Sequence, residues 1–334
     1  MFRRLSLALL AVVAMGATAA LAAHEDHAGS APAEPTSRIV LLGTAGGPPP
    51  HVGQSQPATL LQVGRHRYLV DAGEGAAYQM QQARVPPNAV DAVFITHLHW
   101  DHTQGLGYLM AVDWMRGRTA PLPVYGPPGI APLVAKTLDA LGIGEALFAV
   151  QAANRPKLAS LFPARTVAGC APSPVYKDEA VSVSAVCTSH FGAVPVSNQS
   201  YGAVQALAYR FDTPQGSVTF TGDTGPSPSV EALAKGSDVL VAEVVDLASI
   251  EETMHRIDPT ANNSAMMAHM AHEHLTPEEL GKMASRAGVK KLVLTHYVSG
   301  QGFDPAHLVE RVRPFFVGEI VAGADLMVIP MPGR

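Results

Sequence analysis

The chain has 334 residues, of which 47% are hydrophobic and 15% charged, and its formal net charge is −5. This is the composition of a globular protein that is somewhat low in charge, and the length allows one large domain or two ordinary ones. No block rich in Lys and Arg occurs. Because phosphate binding depends on clustered basic residues, the composition argues against a nucleic-acid-binding surface.

The first 23 residues have the pattern of a signal peptide. Arg3 and Arg4 precede an apolar stretch at 5–15, and small residues lead to a cleavage site near Ala23. The alternative is an uncleaved membrane anchor. The small-residue ending favours cleavage, which predicts a periplasmic or secreted mature protein with no stable membrane insertion. A flexible leader is predicted for 24–37 and a folded domain for 38–334.

The folded region alternates strand-like and helical patterns, which indicates an α/β protein. Strands are predicted at 39–42, 58–63, 68–70, 92–95, 206–211, 217–221, 239–242 and 291–294, and helices at 76–83, 133–141 and 230–235. One further helix is well marked, because Thr276 is a good N-cap, Pro277 suits the first turn and Gly288 ends the pattern.

The two cysteines, Cys170 and Cys187, end strand-like runs separated by a turn-rich segment. In an oxidising compartment a disulfide bracing that hairpin is one interpretation, and two buried free thiols are the other. Sequence spacing alone does not establish that the two side chains meet.

Four potential metal ligands, His97, His99, Asp101 and His102, lie within six residues directly after the predicted strand 92–95. In open α/β layers the carboxyl ends of strands are where ligands and catalytic groups collect. Three imidazoles this close to a carboxylate need a shared partner, so this segment predicts a metal site.

Three more candidate ligands, His190, Asp223 and His296, also follow strand-like runs. If the strand ends converge on one sheet edge, seven nitrogen and oxygen ligands meet there. That number is too large for one tetrahedral zinc ion and suits two divalent metal ions with open positions. Imidazole with carboxylate favours zinc, with iron and manganese as alternatives.

With these residues the sequence resembles the metallo-β-lactamase superfamily, whose signature is His-x-His-x-Asp-His followed by a later His, an Asp and a final His. The resemblance covers about 38–330 and implies a one-domain αββα sandwich, with two mixed sheets flanked by helices. It also implies that Asp71 supports the metal-binding loop. The implied ligands are His97, His99 and His190 for one metal, Asp101, His102 and His296 for the other, and Asp223 as the bridge.

Within the superfamily the sequence most resembles the ribonuclease Z and arylsulfatase-like branch. In that branch a Glu ending a strand and a His before the penultimate helix assist the leaving group, and Glu243 and His274 match them. The implied catalytic residues are therefore Asp223, Glu243 and His274. The alternative for Glu243 is pairing with a helix terminus. For His274 it is a local supporting or surface role, because His269 and His272 lie close by and could be mistaken for the matching residue.

We therefore expect hydrolysis of a sulfate or phosphate mono- or diester by a metal-bridging hydroxide. A lactonase or other carboxyl-ester hydrolase is the alternative, ahead of a β-lactamase or a non-catalytic metal-binding protein. Ribonuclease Z uses a long arm rich in Gly, Pro and Lys to bind tRNA, and this sequence contains no such arm. The sequence is also acidic and is expected to be exported. A small-molecule ester and no nucleic acid are thus the expected partners, with a homo-oligomer as one possible assembly. Trp100 has two equal interpretations, a pocket wall or ordinary packing.

Overall fold

The computed structural model describes residues 37–148, 150–192, 197 and 199–333. The predicted signal peptide and nearly all of the predicted leader lie outside these residues. The strands, in chain order from β1 to β14, are Ser37–Gly43, Ala58–Val63, His66–Val70, Ala92–Phe94, Val124–Gly126, Ala164–Thr166, Ser173–Lys177, Ser182–Cys187, Leu207–Thr213, Gly216–Phe220, Val239–Val245, Lys291–Val298, Glu319–Ala322 and Val328–Pro330.

The strands form two seven-stranded mixed sheets. The first sheet has the order β14-β1-β2-β3-β4-β5-β6 and the second β13-β12-β11-β10-β9-β8-β7. Strands β3 to β6 run parallel to one another, as do β10 to β13, while the neighbouring pairs β1–β2, β2–β3, β8–β9 and β9–β10 are antiparallel.

Alternating side chains of the strands divide between two cores, because successive residues of a strand point to opposite faces. In β1, Ile39 and Leu41 join the core between the sheets, whereas Val40 and Leu42 face the helices on the outside. Aromatic rings pack against one another in the core between the sheets. The Phe94 ring centroid lies 5.0 Å from that of Phe211 and 5.5 Å from that of Tyr209. Both faces of each sheet are therefore buried.

The helices cover the outer faces of the sheets. In chain order from α1 to α10 they are Ala76–Gln82, Trp100–Thr103, Gly105–Met115, Ile130–Leu147, Leu158–Leu161, Pro228–Ala234, Leu247–Ile257, Ser264–Glu273, Pro277–Ala287 and Pro305–Val312. Helices α1, α3, α4 and α5 contribute to the core outside the first sheet, and α6, α9 and α10 to that outside the second. The predicted αββα sandwich is confirmed.

The caps of α9 follow the sequence prediction. The Thr276 hydroxyl accepts a hydrogen bond from the Glu279 N–H at 3.3 Å, and Gly288 ends the helix in the left-handed conformation at φ 65°. None of the described helices is long and apolar enough to span a bilayer.

The two cysteines form a disulfide, but the predicted hairpin is wrong. Strand β6 stops at Thr166 and belongs to the first sheet, whereas β8, which ends at Cys187, pairs with β7 and β9 of the second. The Cα atoms of Cys170 and Cys187 lie 4.5 Å apart. The bond therefore ties the segment before β7 to the end of β8.

Candidate metal centre

The candidate ligands meet where strands of both sheets end. His97, His99, Asp101 and His102 follow β4, and the last two lie on the short helix α2. His190 follows β8, and Asp223 follows β10. Except for the partly exposed His99, these side chains are buried.

The last ligand, His296, is placed by an irregularity within a strand. In the pairing of β11 with β12, Glu243 lies opposite Thr295 and Val244 opposite Tyr297, so His296 is an extra residue in its strand. Its φ of 44° is in the left-handed region. A bulge of this kind re-aims a side chain. It directs His296 to the site while the flanking residues stay in the ladder.

His97, His99, His190 and Asp223 form the first ligand group. The His99 Nδ1 atom lies 2.9 Å from His97 Nε2 and 3.3 Å from His190 Nε2. Asp223 Oδ2 is 3.8 Å from His97 Nε2 and 4.0 Å from His190 Nε2. Three imidazole nitrogens and one carboxylate oxygen therefore surround a common point.

Asp101, His102 and His296 form the second group, which Asp223 completes with its other oxygen. His102 Nε2 lies 3.0 Å from His296 Nε2 and 3.4 Å from Asp101 Oδ2, and His296 Nε2 is also 3.4 Å from Asp101 Oδ2. Asp223 Oδ1 is 3.4 Å from His102 Nε2 and 3.3 Å from His296 Nε2. Donors ~2.0–2.1 Å from one tetrahedral zinc ion lie roughly 3.3–3.4 Å apart, so this group fits such an ion.

The carboxylate of Asp223 is shared between the groups, Oδ1 facing the second and Oδ2 the first. Among the described residues, the buried oxygens Asp223 Oδ1 and Asp101 Oδ1 have no hydrogen-bond partner. Buried polar atoms without partners are rare in folded proteins. Asp223 Oδ1 lies 3.4 Å from His102 Nε2 and 3.3 Å from His296 Nε2, so this unsatisfied oxygen among imidazoles fits a bound cation.

Burial and neighbouring charges together set the protonation states of the ligand side chains. Burial lowers the pKa of His97 and lowers that of His190 to about 4, which leaves both rings neutral at pH 7. Burial alone raises the pKa of Asp223, but His296, His102 and His97 outweigh it and hold that pKa well below the usual range. In the first group these shifts leave an ionised carboxylate beside neutral imidazoles, the forms that bind metal. In the second group the neighbouring carboxylates outweigh burial and raise the pKa of His102 and of His296.

A second layer of hydrogen bonds orients the rings. Asp71 accepts from the Thr96 N–H at 2.8 Å and from His102 Nδ1 at 2.9 Å. His190 Nδ1 donates to the Glu273 carbonyl at 3.1 Å. The bonds made by His102 Nδ1 and His190 Nδ1 leave the Nε2 atom of each ring facing its ligand group, as in carboxylate–histidine–metal arrangements. Asp71 therefore lies where the resemblance puts it, beneath the metal-binding loop.

Glu243 and His274 form a buried pair beside the ligands. Glu243 Oε2 accepts a hydrogen bond from His274 Nδ1 at 2.7 Å, while its Oε1 accepts from the Thr224 N–H at 2.7 Å. Burial lowers the pKa of His274, but Glu243 and further carboxylates outweigh it and raise that pKa to about 9. Both side chains are buried, so the alternative of a surface role for His274 is wrong. The partners of Glu243 are His274 and the Thr224 N–H, not a helix terminus.

Two cavities open beside the ligands. One, of about 440 Å³, is lined by Trp100 and Asp101 together with residues of the β1–β2 connection. Trp100 is 70% exposed there, which rules out ordinary packing. The other, of about 250 Å³, adjoins His99 and is lined by residues of the segment after His190.

Sequence reasoning missed Asp325, which holds the β1–β2 connection in place. Its Oδ1 accepts from the Thr44 N–H and hydroxyl at 2.9 and 2.8 Å, and its Oδ2 accepts from the Ser55 N–H at 2.7 Å and from Gln79 Nε2 at 2.8 Å. No local motif marks it, because its partners lie between 246 and 281 residues earlier in the chain.

Comparison with known proteins gives the family. Residues 66–297 match the family described as the beta-lactamase superfamily domain. Ribonuclease Z of Mycolicibacterium paratuberculosis is 32% identical over 298 residues, covering 86% of this chain and 96% of the relative. Ribonuclease Z of Mycobacterium sp. strain KMS is 31% identical over 296 residues, covering 86% and 94%.

Solved structures share the fold. The metallo-β-lactamase fold protein YhfI of Bacillus subtilis superposes with a TM-score of 0.63 at 20% identity, covering 88% of this chain and 99% of that one. The short form of human tRNase Z gives 0.61 at 20% identity with the same coverage. The chain belongs to the metallo-β-lactamase superfamily of hydrolases, whose members typically bind divalent metals. Within that superfamily it is a member of the ribonuclease Z branch.

These relatives correct one expectation. The prediction of a small-molecule ester substrate and of no nucleic-acid partner is wrong, because the relatives that match most of the chain are ribonucleases. That prediction rested on the acidic net charge and the missing basic arm. The net charge of the whole chain does not describe the local electrostatic field at a binding site.

Proposed function

We propose that this protein is a two-metal phosphodiesterase that cleaves RNA. The observation that carries the proposal is the shared carboxylate of Asp223, whose two oxygens each complete a separate group of metal-binding side chains. Membership of the ribonuclease Z branch supports a phosphodiester as the bond that is cleaved.

In this proposal His97, His99 and His190 hold one divalent cation and Asp101, His102 and His296 the other, with Asp223 between them. Zinc suits the nitrogen-rich donor set. When bound, two such cations would lower the pKa of water at the site and offset the negative charge on the phosphate oxygens. The buried bonds of Asp71 and of the Glu273 carbonyl hold the imidazoles in the required orientation.

His274 and Glu243 supply the proton for the leaving oxygen. Glu243 keeps the His274 imidazole protonated and fixes its orientation through the 2.7 Å bond to Nδ1, which leaves Nε2 free to donate. The His274 ring centroid lies 5.1 Å from that of His190 and 6.4 Å from that of His296, beside both groups. General acid catalysis of this kind contributes roughly 10²–10⁴-fold.

The test is a substrate panel for the metal-loaded protein: a tRNA transcript, an unstructured RNA, bis(p-nitrophenyl) phosphate and an aryl sulfate. The proposal expects cleavage of RNA and of the phosphodiester, and loss of both in the Asp223→Ala variant. Cleavage of the aryl sulfate alone would contradict it. An exposed acidic residue provides the control: Glu251→Ala on α7 leaves activity unchanged.

A further inference from the structure

The helices α7 and α8 lie on the outside of the protein. Among the described residues of these two helices, Ser249 of α7 and Glu273 of α8 alone are buried. No side chain of either helix belongs to the apolar cores that the described residues form. The end of α8 is therefore held against the protein by polar and backbone contacts rather than by apolar packing.

The carboxylate of Glu273 lies where elementary electrostatics disfavours it. It belongs to the last turn of α8, at the negative end of the helix dipole, where cationic side chains are favoured and anionic ones are not. Burial adds a second cost and raises the pKa of Glu273, an effect that the His269 imidazole partly offsets. His269 precedes Glu273 by one turn, and its Nε2 atom lies 2.9 Å from Glu273 Oε2. A locally disfavoured residue beside a metal centre is expected to serve function rather than stability.

The backbone at the end of α8 contacts both loops that supply ligands from the second sheet. The last carbonyls of a helix have no partner within the helix, and that of Glu273 accepts the hydrogen bond from His190 Nδ1 at 3.1 Å. The His272 carbonyl lies against Gly225, which follows Asp223 by two residues. A Cβ atom added at Gly225 would collide with the His272 oxygen and come within 2.8 Å of its carbonyl carbon.

The two ligand loops are also joined to each other. The Thr188 hydroxyl, two residues before His190, donates to the Asp223 carbonyl at 2.7 Å. His97 and His99, by contrast, follow β4 of the first sheet. A shift of the end of α8 would therefore move His190 and Asp223 relative to the other two members of the first ligand group.

We propose that Glu273 and His269 form a positioning pair for the metal of the first group. Their bond fixes the end of α8, so that the Glu273 carbonyl holds the His190 ring in its ligand group. Gly225 completes the arrangement, because a side chain there would keep the His272 carbonyl away from the loop of Asp223. The proposal rests on the two-metal phosphodiesterase above and adds the residues that set the affinity for one of its metals.

The first group is tested alone in protein that carries Asp101→Ala, which removes a ligand of the second group only. The measurement is the dissociation constant for zinc, obtained by competition with a chromophoric chelator and without any substrate. Glu273→Ala and His269→Ala are each expected to weaken zinc binding by about tenfold, the lower end of the effect of losing an outer hydrogen-bond partner of a metal-binding histidine. The double variant should lose no more than either single variant, because the two side chains act as one unit.

A conservative variant separates positioning from charge and from loss of stability. In Glu273→Gln the amide oxygen still accepts a hydrogen bond from His269 Nε2, so the zinc affinity should be restored. Glu252→Ala is the matched control, because it breaks the exposed pair of Glu252 with Arg256 on α7 and should leave the affinity unchanged.

Glycine substitutions test the backbone contact. Gly225→Ala should weaken zinc binding at the first group by about tenfold or more. Gly142→Ala on α4 is its control, because a Cβ atom there meets open space, and the affinity should not change.

Three results would overturn the proposal. The first is a zinc affinity in Glu273→Ala equal to that of the Asp101→Ala parent. The second is a failure of Glu273→Gln to restore the affinity, which would assign the effect to charge. The third is an equal loss at the second group, measured in protein that carries His190→Ala, where the Glu273 carbonyl has no ring to hold and Glu273→Ala should have no effect.

The two proposals fail separately. If the protein binds two zinc ions but cleaves no RNA and no phosphodiester, the phosphodiesterase is wrong, and the zinc competition still decides the positioning pair. If Glu273→Ala binds zinc like its parent while the wild type cleaves RNA, the positioning pair is wrong and the phosphodiesterase stands.

Discussion

Replacing Glu243 by Gln tests how His274 is kept ready to donate a proton. With its pKa at about 9, His274 is about 99% protonated at pH 7. Without the carboxylate, burial is the strongest remaining influence and pushes the pKa to the ordinary ~6.5 or below. At pH 7 the protonated fraction then falls to about a quarter or less.

The sign of the pH effect follows from the role of the group. A proton donor is active below its pKa and inactive above it, so the wild-type rate on RNA should fall as the pH rises through about 9. The Glu243→Gln variant should lose activity at a pH about two units lower or more. At pH 7 its rate should be reduced at least about fourfold, with partial recovery at pH 5.

The assay is kcat/KM against pH, from pH 5 to 10, for metal-saturated protein. RNA expels a basic alkoxide that needs a proton, whereas bis(p-nitrophenyl) phosphate expels a phenolate that does not, so the phenolate reaction should lack this pH dependence. Glu278→Gln, which removes an exposed carboxylate of α9, is the matched control. An identical alkaline limit in wild type and Glu243→Gln would refute the role of His274 as proton donor.

Three further outcomes are expected. Replacing both Cys170 and Cys187 by Ser should lower the free energy of unfolding by about 3 kcal/mol in denaturant titrations, because the disulfide closes a loop between residues 17 apart; an unchanged midpoint would show that it constrains nothing. Trp100→Ala should change stability by less than about 0.5 kcal/mol, since the side chain is 70% exposed, while raising KM for RNA; a large loss of stability would indicate packing instead. Export predicts a mature N-terminus near Ala23 in mass spectra of the periplasmic or secreted fraction, and full-length protein in the cytoplasm would contradict it.

The α/β class was predictable because central strands such as β2 and β11 are apolar and buried along their length, and the sandwich was implied by the family resemblance. The metal-binding role of the segment from His97 to His102 was equally predictable, since its candidate ligands lie close together in the chain. The hairpin predicted for the cysteines failed because the alternating pattern of a strand does not say which sheet the strand joins. Residues 164–166 enter one sheet and 182–187 the other.

Other parts of the site depend on contacts that local sequence does not encode. The bulge that turns His296 inward arises only when β11 pairs with β12, and no residue of it is a Gly that would mark it. The cavity of about 250 Å³ beside His99 is made from three separate segments, at Leu98, Pro128 and Phe191 onwards. The substrate class was predicted wrongly because net charge is a property of the whole surface, whereas substrate recognition depends on the local charges at the site.

Metal content tests the central claim most directly. Protein freed of metal with a chelator, reloaded with zinc and desalted should retain two zinc ions per chain by elemental analysis. Asp101→Ala, which removes a ligand of one group only, should retain one, and Asp223→Ala fewer than two with no phosphodiesterase activity. One ion per chain in the wild type, or two in both variants, would contradict a pair of sites that share Asp223.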